Sequence, residues 1–83
     1  MLVHSAKQLA SIIITQRKAL KLSQSEVAER VGLKQQTVSA FENKPTGTKL
    51  ETLFQILSAV ELNIATMTAA ETAAVKATWK EEW

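Results

Sequence analysis

Eighty-three residues, 46% hydrophobic and 22% charged, suit a single small soluble core and exclude a two-domain, disordered or membrane-embedded chain. Cys and Tyr are absent and there is one His, so there are no disulfides and no thiolate metal site or nucleophile, and little remains from which to build an active site. Residues 1–50 carry eight Lys and Arg against three Glu, whereas residues 51–83 carry two Lys against five Glu, so only the front half has the charge to meet an anionic partner such as nucleic acid.

In chain order, Leu9, Ile12, Ile13, Gln16 and Leu20 mark one face of a helix over residues 6–20. Arg17, Lys18 and Lys21 crowd its last turn, where cations suit the helix dipole. Ser23 and Glu26 form an S-x-x-E capping box that opens a second helix, with Val27, Ala28 and Val31 inward and Gly32 as its left-handed stop. A third helix runs from about Lys34 to Asn43 and buries Val38 and Phe41. Residues 43–47 have turn chemistry throughout. Thr48 or Lys49 then opens a fourth helix, in which Leu50, Leu53, Phe54, Leu57 and Val60 repeat at helical spacing.

The segment 62–68 alternates Leu62, Ile64 and Thr66 against Asn63, Ala65 and Met67, a pattern that favours a short strand. No second strand candidate exists in the chain, so the expected partner is its own copy, paired through Leu62, Ile64 and Met67 in an intersubunit β-ribbon. Residues 69–83 predict a flexible tail, able to order on a partner. Thr68 and Glu71 could cap a last helix there, with Val75, Trp79 and Trp83 on one face. The predicted fold class is therefore all-α. It comprises a compact bundle of four to five short helices over residues 1–61, a dimerisation strand and the tail.

Function is carried by residues 24–43, whose spacing is that of a helix-turn-helix. Ala28 allows the two helices to cross closely, Gly32 makes the turn, and Val38 and Phe41 pin the second helix down. Lys34, Gln35, Gln36, Ser39 and Ala40 then face outward along the N-terminal part of the third helix, the part that reads base edges in a major groove. Gln suits adenine N6 and N7, Lys suits guanine O6 or N7, and Ala40 suits a thymine methyl. Gln24, Thr37, Lys44, Thr48 and Lys49 are the candidate phosphate contacts, with Lys18 and Lys21 behind them.

The string SQSEVAERVGLKQQTVSAFEN resembles the Cro/C1-type (Xre) helix-turn-helix family over roughly residues 6–61. The resemblance implies a bundle of about five helices that binds operator DNA as a dimer, and a structural ion pair between Arg17 and Glu42. Lys34 stands where the family often has Ser or Thr, and Glu42-Asn43-Lys44-Pro45 replaces the usual Glu-Asn-Gly, with the glycine postponed to Gly47. That loop, the strand-like segment and the terminal Glu82-Trp83 are similar to the HipB-type antitoxins, partners of HipA kinase toxins. The similarity implies palindromic operators upstream of the chain's own operon and neutralisation of a HipA-like Ser/Thr kinase. It also implies a tail whose final Trp83 enters a pocket on the toxin. A Trp following the polar Lys80-Glu81-Glu82 serves folding poorly and suits an interface, so Trp79 and Trp83 are assigned to toxin docking.

The expected function is a sequence-specific DNA-binding antitoxin and autorepressor, the alternative being a free-standing dimeric repressor without a toxin. A protein-interaction adaptor on the same scaffold is a further class, separable by the absence of salt-dependent duplex binding. No enzyme, cofactor, metal or small-molecule substrate is expected, His4 having no ligand cluster beside it in sequence. A cytoplasmic, nucleoid-associated location is expected, because the longest apolar run is about three residues, far short of a membrane span.

Overall fold

The computed structural model describes residues 2–74. Four helices and one short turn precede residue 60: α1 (Ala6–Ala19), α2 (Gln24–Val31), α3 (Gln35–Asn43), a 3-10 turn (Pro45–Gly47) and α4 (Leu50–Ala59). Residues 69–74 add helical turns, here α5. The core is built from Ala10 and Ile13 of α1, Val27 and Ala28 of α2, Val38 and Phe41 of α3, and Ile56, Leu57, Ala59 and Val60 at the end of α4. Helix α2 packs on both α3 and α4, which fixes the angle at which α3 is presented.

Each helix end has an identifiable cause. Ser5 accepts from the Gln8 N–H at the start of α1. The capping box of α2 is complete: Ser23 Oγ accepts from the Glu26 N–H (3.1 Å) while the Ser23 N–H donates to Glu26 Oε1 (2.9 Å). Gly32 closes α2 at φ +70°. Lys21 (φ 59°) and Glu61 (φ 62°) close α1 and α4 in the same left-handed region without being glycines. At both of those ends, paired backbone bonds tie the turn: Leu22 N–H to Arg17 O and Lys21 N–H to Lys18 O, and likewise Leu62 N–H to Leu57 O and Glu61 N–H to Ser58 O. The last carbonyls of α4 receive side chains from other helices, Arg30 Nη1 on Ala59 O (2.9 Å) and Gln16 Nε2 on Val60 O (3.1 Å).

Two expectations are amended. Helix α4 does not bury the whole stripe assigned to it: Leu50 is 72% and Phe54 57% exposed, while Ile56 and Ala59 are buried instead. Residues 62–68 are irregular, and among the described residues there is no second strand to complete a ladder. Residues 69–74 are helical, and Thr68 Oγ1 accepts from the Glu71 N–H (3.2 Å), the cap expected at that position. Val75, Trp79 and Trp83 lie outside the described residues.

Candidate nucleic-acid interface

Helix α3 is anchored on one side and bare on the other. Val38 and Phe41 are 0% and 3% exposed, and by helical spacing the residues between and before them turn outward. Lys34, Gln35, Gln36 and Ala40 are exposed, and Ser39 and Thr37 are half-buried at the edges of that face. Ser39 Oγ accepts from Asn43 Nδ2 (3.3 Å), which steadies its hydroxyl. At about 1.5 Å per residue, the loop bearing Lys44 lies some 13–15 Å along α3 from Lys34, so Lys44 stands beyond the C-terminal end of the candidate base readers.

Lys34 is the N-cap of α3 and Lys49 the N-cap of α4, and neither makes a side-chain cap bond. A Lys at an N-cap leaves backbone N–H groups unserved and sets its charge against the helix dipole. Such a position serves folding poorly, and the unserved N–H groups are of the kind an anion can take up. Lys44 is exposed and Thr48 half-buried on the same connection.

Beneath this face runs a chain of side-chain bonds. Arg17 donates from Nε to Glu42 Oε2 (2.7 Å), from Nη2 to Glu42 Oε1 (3.0 Å) and from Nη1 to the Leu22 carbonyl (2.9 Å). The two side chains are 13% and 7% exposed, so the pair is nearly withdrawn from water. Glu42 Oε1 also accepts from Gln24 Nε2 (2.9 Å), and Gln24 Oε1 accepts from Gln35 Nε2 (2.8 Å). Gln24, expected at a phosphate, thus donates one N–H and accepts at its oxygen inside the protein, and its second amide N–H lies beside the backbone N–H groups of the α2 N-terminus.

On the opposite end, Leu62 packs against its own protomer's core, whereas Ile64 and Met67 are 46% and 43% exposed. Phe54, Leu62 and Ile64 line one open groove of about 510 Å³. Leu50 and Phe54 were missed as surface residues because their spacing also fits a core stripe. Among the described residues no cluster of His, Asp and Glu could hold a metal ion, and no helix is long and apolar enough to cross a membrane.

The helix-turn-helix family pattern matches residues 13–66, which include the whole of α2, α3 and α4. Over 98% of its length, and 93% of the other protein's, the chain is 39% identical to antitoxin HipB of Escherichia coli K12. The chain belongs to the helix-turn-helix family and, within it, to the HipB-type antitoxins. Two solved structures agree in fold. One is a complex described as HipA-HipB-O2-O3, matched at TM-score 0.80 and 38% identity over 83% of this chain and 97% of that one. The other is HipB with an O4 20mer, matched at TM-score 0.80 and 39% identity over the same shares.

Proposed function

We propose that this chain is a dimeric DNA-binding antitoxin that represses its own operon and neutralises a HipA-like Ser/Thr kinase. The observation that carries the reading is the exposed Lys34–Gln35–Gln36 face on a helix pinned from behind, in a chain 39% identical to an antitoxin along nearly its whole length. Lys34, Gln35, Gln36, Ser39 and Ala40 read base edges. Gln24 with the backbone N–H groups at the start of α2, Thr37, Lys44, Thr48 and Lys49 hold phosphates. The solved relatives include HipB together with HipA, which supports the kinase partner, and HipB on O-numbered 20mers, which supports the operator.

The dimer rests on the apolar surface left over at the rear. Leu50, Phe54, Ile64 and Met67 are four large hydrophobic side chains exposed in a single small domain. Pairing of residues 62–68 with the same segment of a second copy would complete the missing ladder and cover them, with Leu62 linking the ribbon to each core. Such a dimer repeats the recognition face about a two-fold axis and so fits a palindrome with half-sites about one helical turn apart. The protein works in the cytoplasm, on the nucleoid, and its Trp79 and Trp83 dock on the toxin.

The experiment is a pull-down from source-cell lysate, with and without nuclease, comparing the full chain with one ending at Lys80. The expected result is nuclease-resistant capture by the full chain of a protein whose Ser/Thr kinase activity falls when the chain is added back. Capture of DNA alone by both versions would leave a repressor without a toxin. Failure to retain any duplex at low salt would remove the DNA-binding reading itself.

A further inference from the structure

Helix α4 ends where the bundle hands the chain on to residues 62–68, and each carbonyl at that end is engaged. Ile56 O, Ser58 O and Leu57 O take the N–H groups of Val60, Glu61 and Leu62 (3.1, 3.2 and 3.0 Å). The two carbonyls left over take side chains from other helices. Ala59 O accepts from Arg30 Nη1 of α2 (2.9 Å), and Val60 O accepts from Gln16 Nε2 of α1 (3.1 Å). Arg30 Nη1 also reaches Glu61 Oε2 (3.4 Å), beside the bend that Glu61 makes at φ 62°. Leu62 then packs on the core, and residues 63–68 run on exposed. The bend itself does not require such clamps. The left-handed turn that ends α1 forms with a side chain of α1 alone, Arg17 Nη1 on Leu22 O (2.9 Å).

From this geometry we infer that Arg30 and Gln16 aim the 62–68 segment and thereby set the distance between the two recognition faces of the dimer. They are positioning residues for operator half-site spacing, acting through the bend and touching no DNA. Two bonds to adjacent carbonyls, from two different helices, resist a swing of the segment about either one. The lever is α4. At about 1.5 Å per residue its ten residues span roughly 15 Å between the loop behind α3 and the bend. A swing of about 13° there shifts the far end by about 3.4 Å, one base-pair rise. The inference rests on the dimeric DNA-binding reading above, and its own content is the spacing.

The test uses the full chain and a palindrome that the wild-type chain selects from a random-sequence library. Further duplexes carry the same half-sites one or two base pairs closer together or farther apart. Each base pair also adds about a tenth of a helical turn, which the two bends share. The wild-type chain should lose about tenfold or more in affinity for one base pair inserted or removed, as one face loses its half-site. The variant Gln16→Met with Arg30→Met keeps side-chain size and removes both donors. Its sedimentation as a dimer and its affinity for a single half-site should match the wild type. Its loss on shifted sites should shrink to below about threefold, because those sites gain affinity relative to the selected one. A general loss of stability would lower all duplexes together and leave that ratio unmoved. Glu61→Gln should keep the wild-type preference, since an exposed ion pair adds little to the two carbonyl bonds.

Wild-type sharpness in the folded, dimeric double variant would overturn the inference. Should that variant fail to fold, the two single changes are read in the same way, and sharpness kept in both overturns it. A folded but monomeric double variant would overturn it too, because the clamp would then make the dimer and not aim it. So would a loss of preference in Glu61→Gln equal to that of the double variant. A wild-type chain that sediments as a monomer, or selects no palindrome, would instead remove the dimeric DNA-binding reading on which the inference stands.

Discussion

Arg17 and Glu42 are the residues on which removal of one side chain should tell most. Each is nearly enclosed, so loss of either leaves a charge without its partner where water cannot take its place. Glu42→Ala should cost about 3 kcal/mol, read as a lower urea midpoint at unchanged slope. A loss below about 1 kcal/mol would place the pair among ordinary surface bridges. Gly32 offers the opposite kind of test. A Cβ there meets nothing within 4 Å, yet its φ is +70°, so Gly32→Ala should cost about 1 kcal/mol through the backbone alone. Gly47→Ala, equally uncrowded and without a positive φ, should be near neutral in the same urea measurement. Gly32 was legible in the sequence because glycine advertises a left-handed stop. Lys21 and Glu61 do the same work with side chains that carry no such signature. Nor could spacing reveal the bond from Gln35 to Gln24 or from Gln24 to Glu42, whose partners lie 11 and 18 residues apart. Those bonds depend on how the helices cross, which no local rule contains.

Among the elements, α2 was the most legible, since its S-x-x-E signature forms within four residues. That capping box also titrates. The Ser23 backbone N–H, and after it the Ser23 hydroxyl, hold the Glu26 carboxyl below its ordinary value of 4.5. Because the folded value is the lower one, the contribution is fully present above the unfolded value and is lost as pH falls through the folded value. The stability gap between wild type and Glu26→Gln should therefore be open at pH 7 and close on acidification, as followed by urea unfolding across that range. A gap constant with pH would mean that the charge on Glu26 contributes nothing to the cap. Helix α4 was the least legible element. Leu50, Leu53, Phe54, Ile56, Leu57, Ala59 and Val60 make it apolar almost all round, so periodicity cannot say which stripe meets the protomer's own core. Its start carries a prediction as well. Lys49→Asp should add roughly 1 kcal/mol of stability, by supplying the missing cap and an anion at the helix N-terminus. The same change should weaken binding to specific and random duplexes alike and flatten the salt dependence, as follows from the proposed role of the ammonium on phosphate rather than sequence. A stabilised chain with unaltered DNA affinity would leave Lys49 outside the interface.

For the whole molecule the decisive quantity is how many recognition faces act together. On the proposed reading one protomer would place Gln35 and Gln36 over a few base pairs, too short a reading for a specific operator, whereas two linked faces would gain affinity through effective concentration, on the order of 100- to 10,000-fold. Phe54 tests that linkage with little damage to the protomer, because its side chain is 57% exposed in the single chain and lines the rear groove with Ile64. In the proposed dimer Phe54→Glu would put a charge on each side of the two-fold axis, where like charges would be buried against each other. The variant should keep wild-type circular dichroism and sediment as a monomer. Its affinity for a single half-site should be unchanged, and its affinity for the full palindrome should fall at least about 100-fold, towards the half-site value. The slope of log affinity against log salt should halve with it, because half the phosphate contacts are gone. A variant that still sediments as a dimer would move the interface away from α4 and the 62–68 segment. A monomer that keeps full operator affinity would mean that one protomer suffices, and the two-fold arrangement would then have no part in reading DNA.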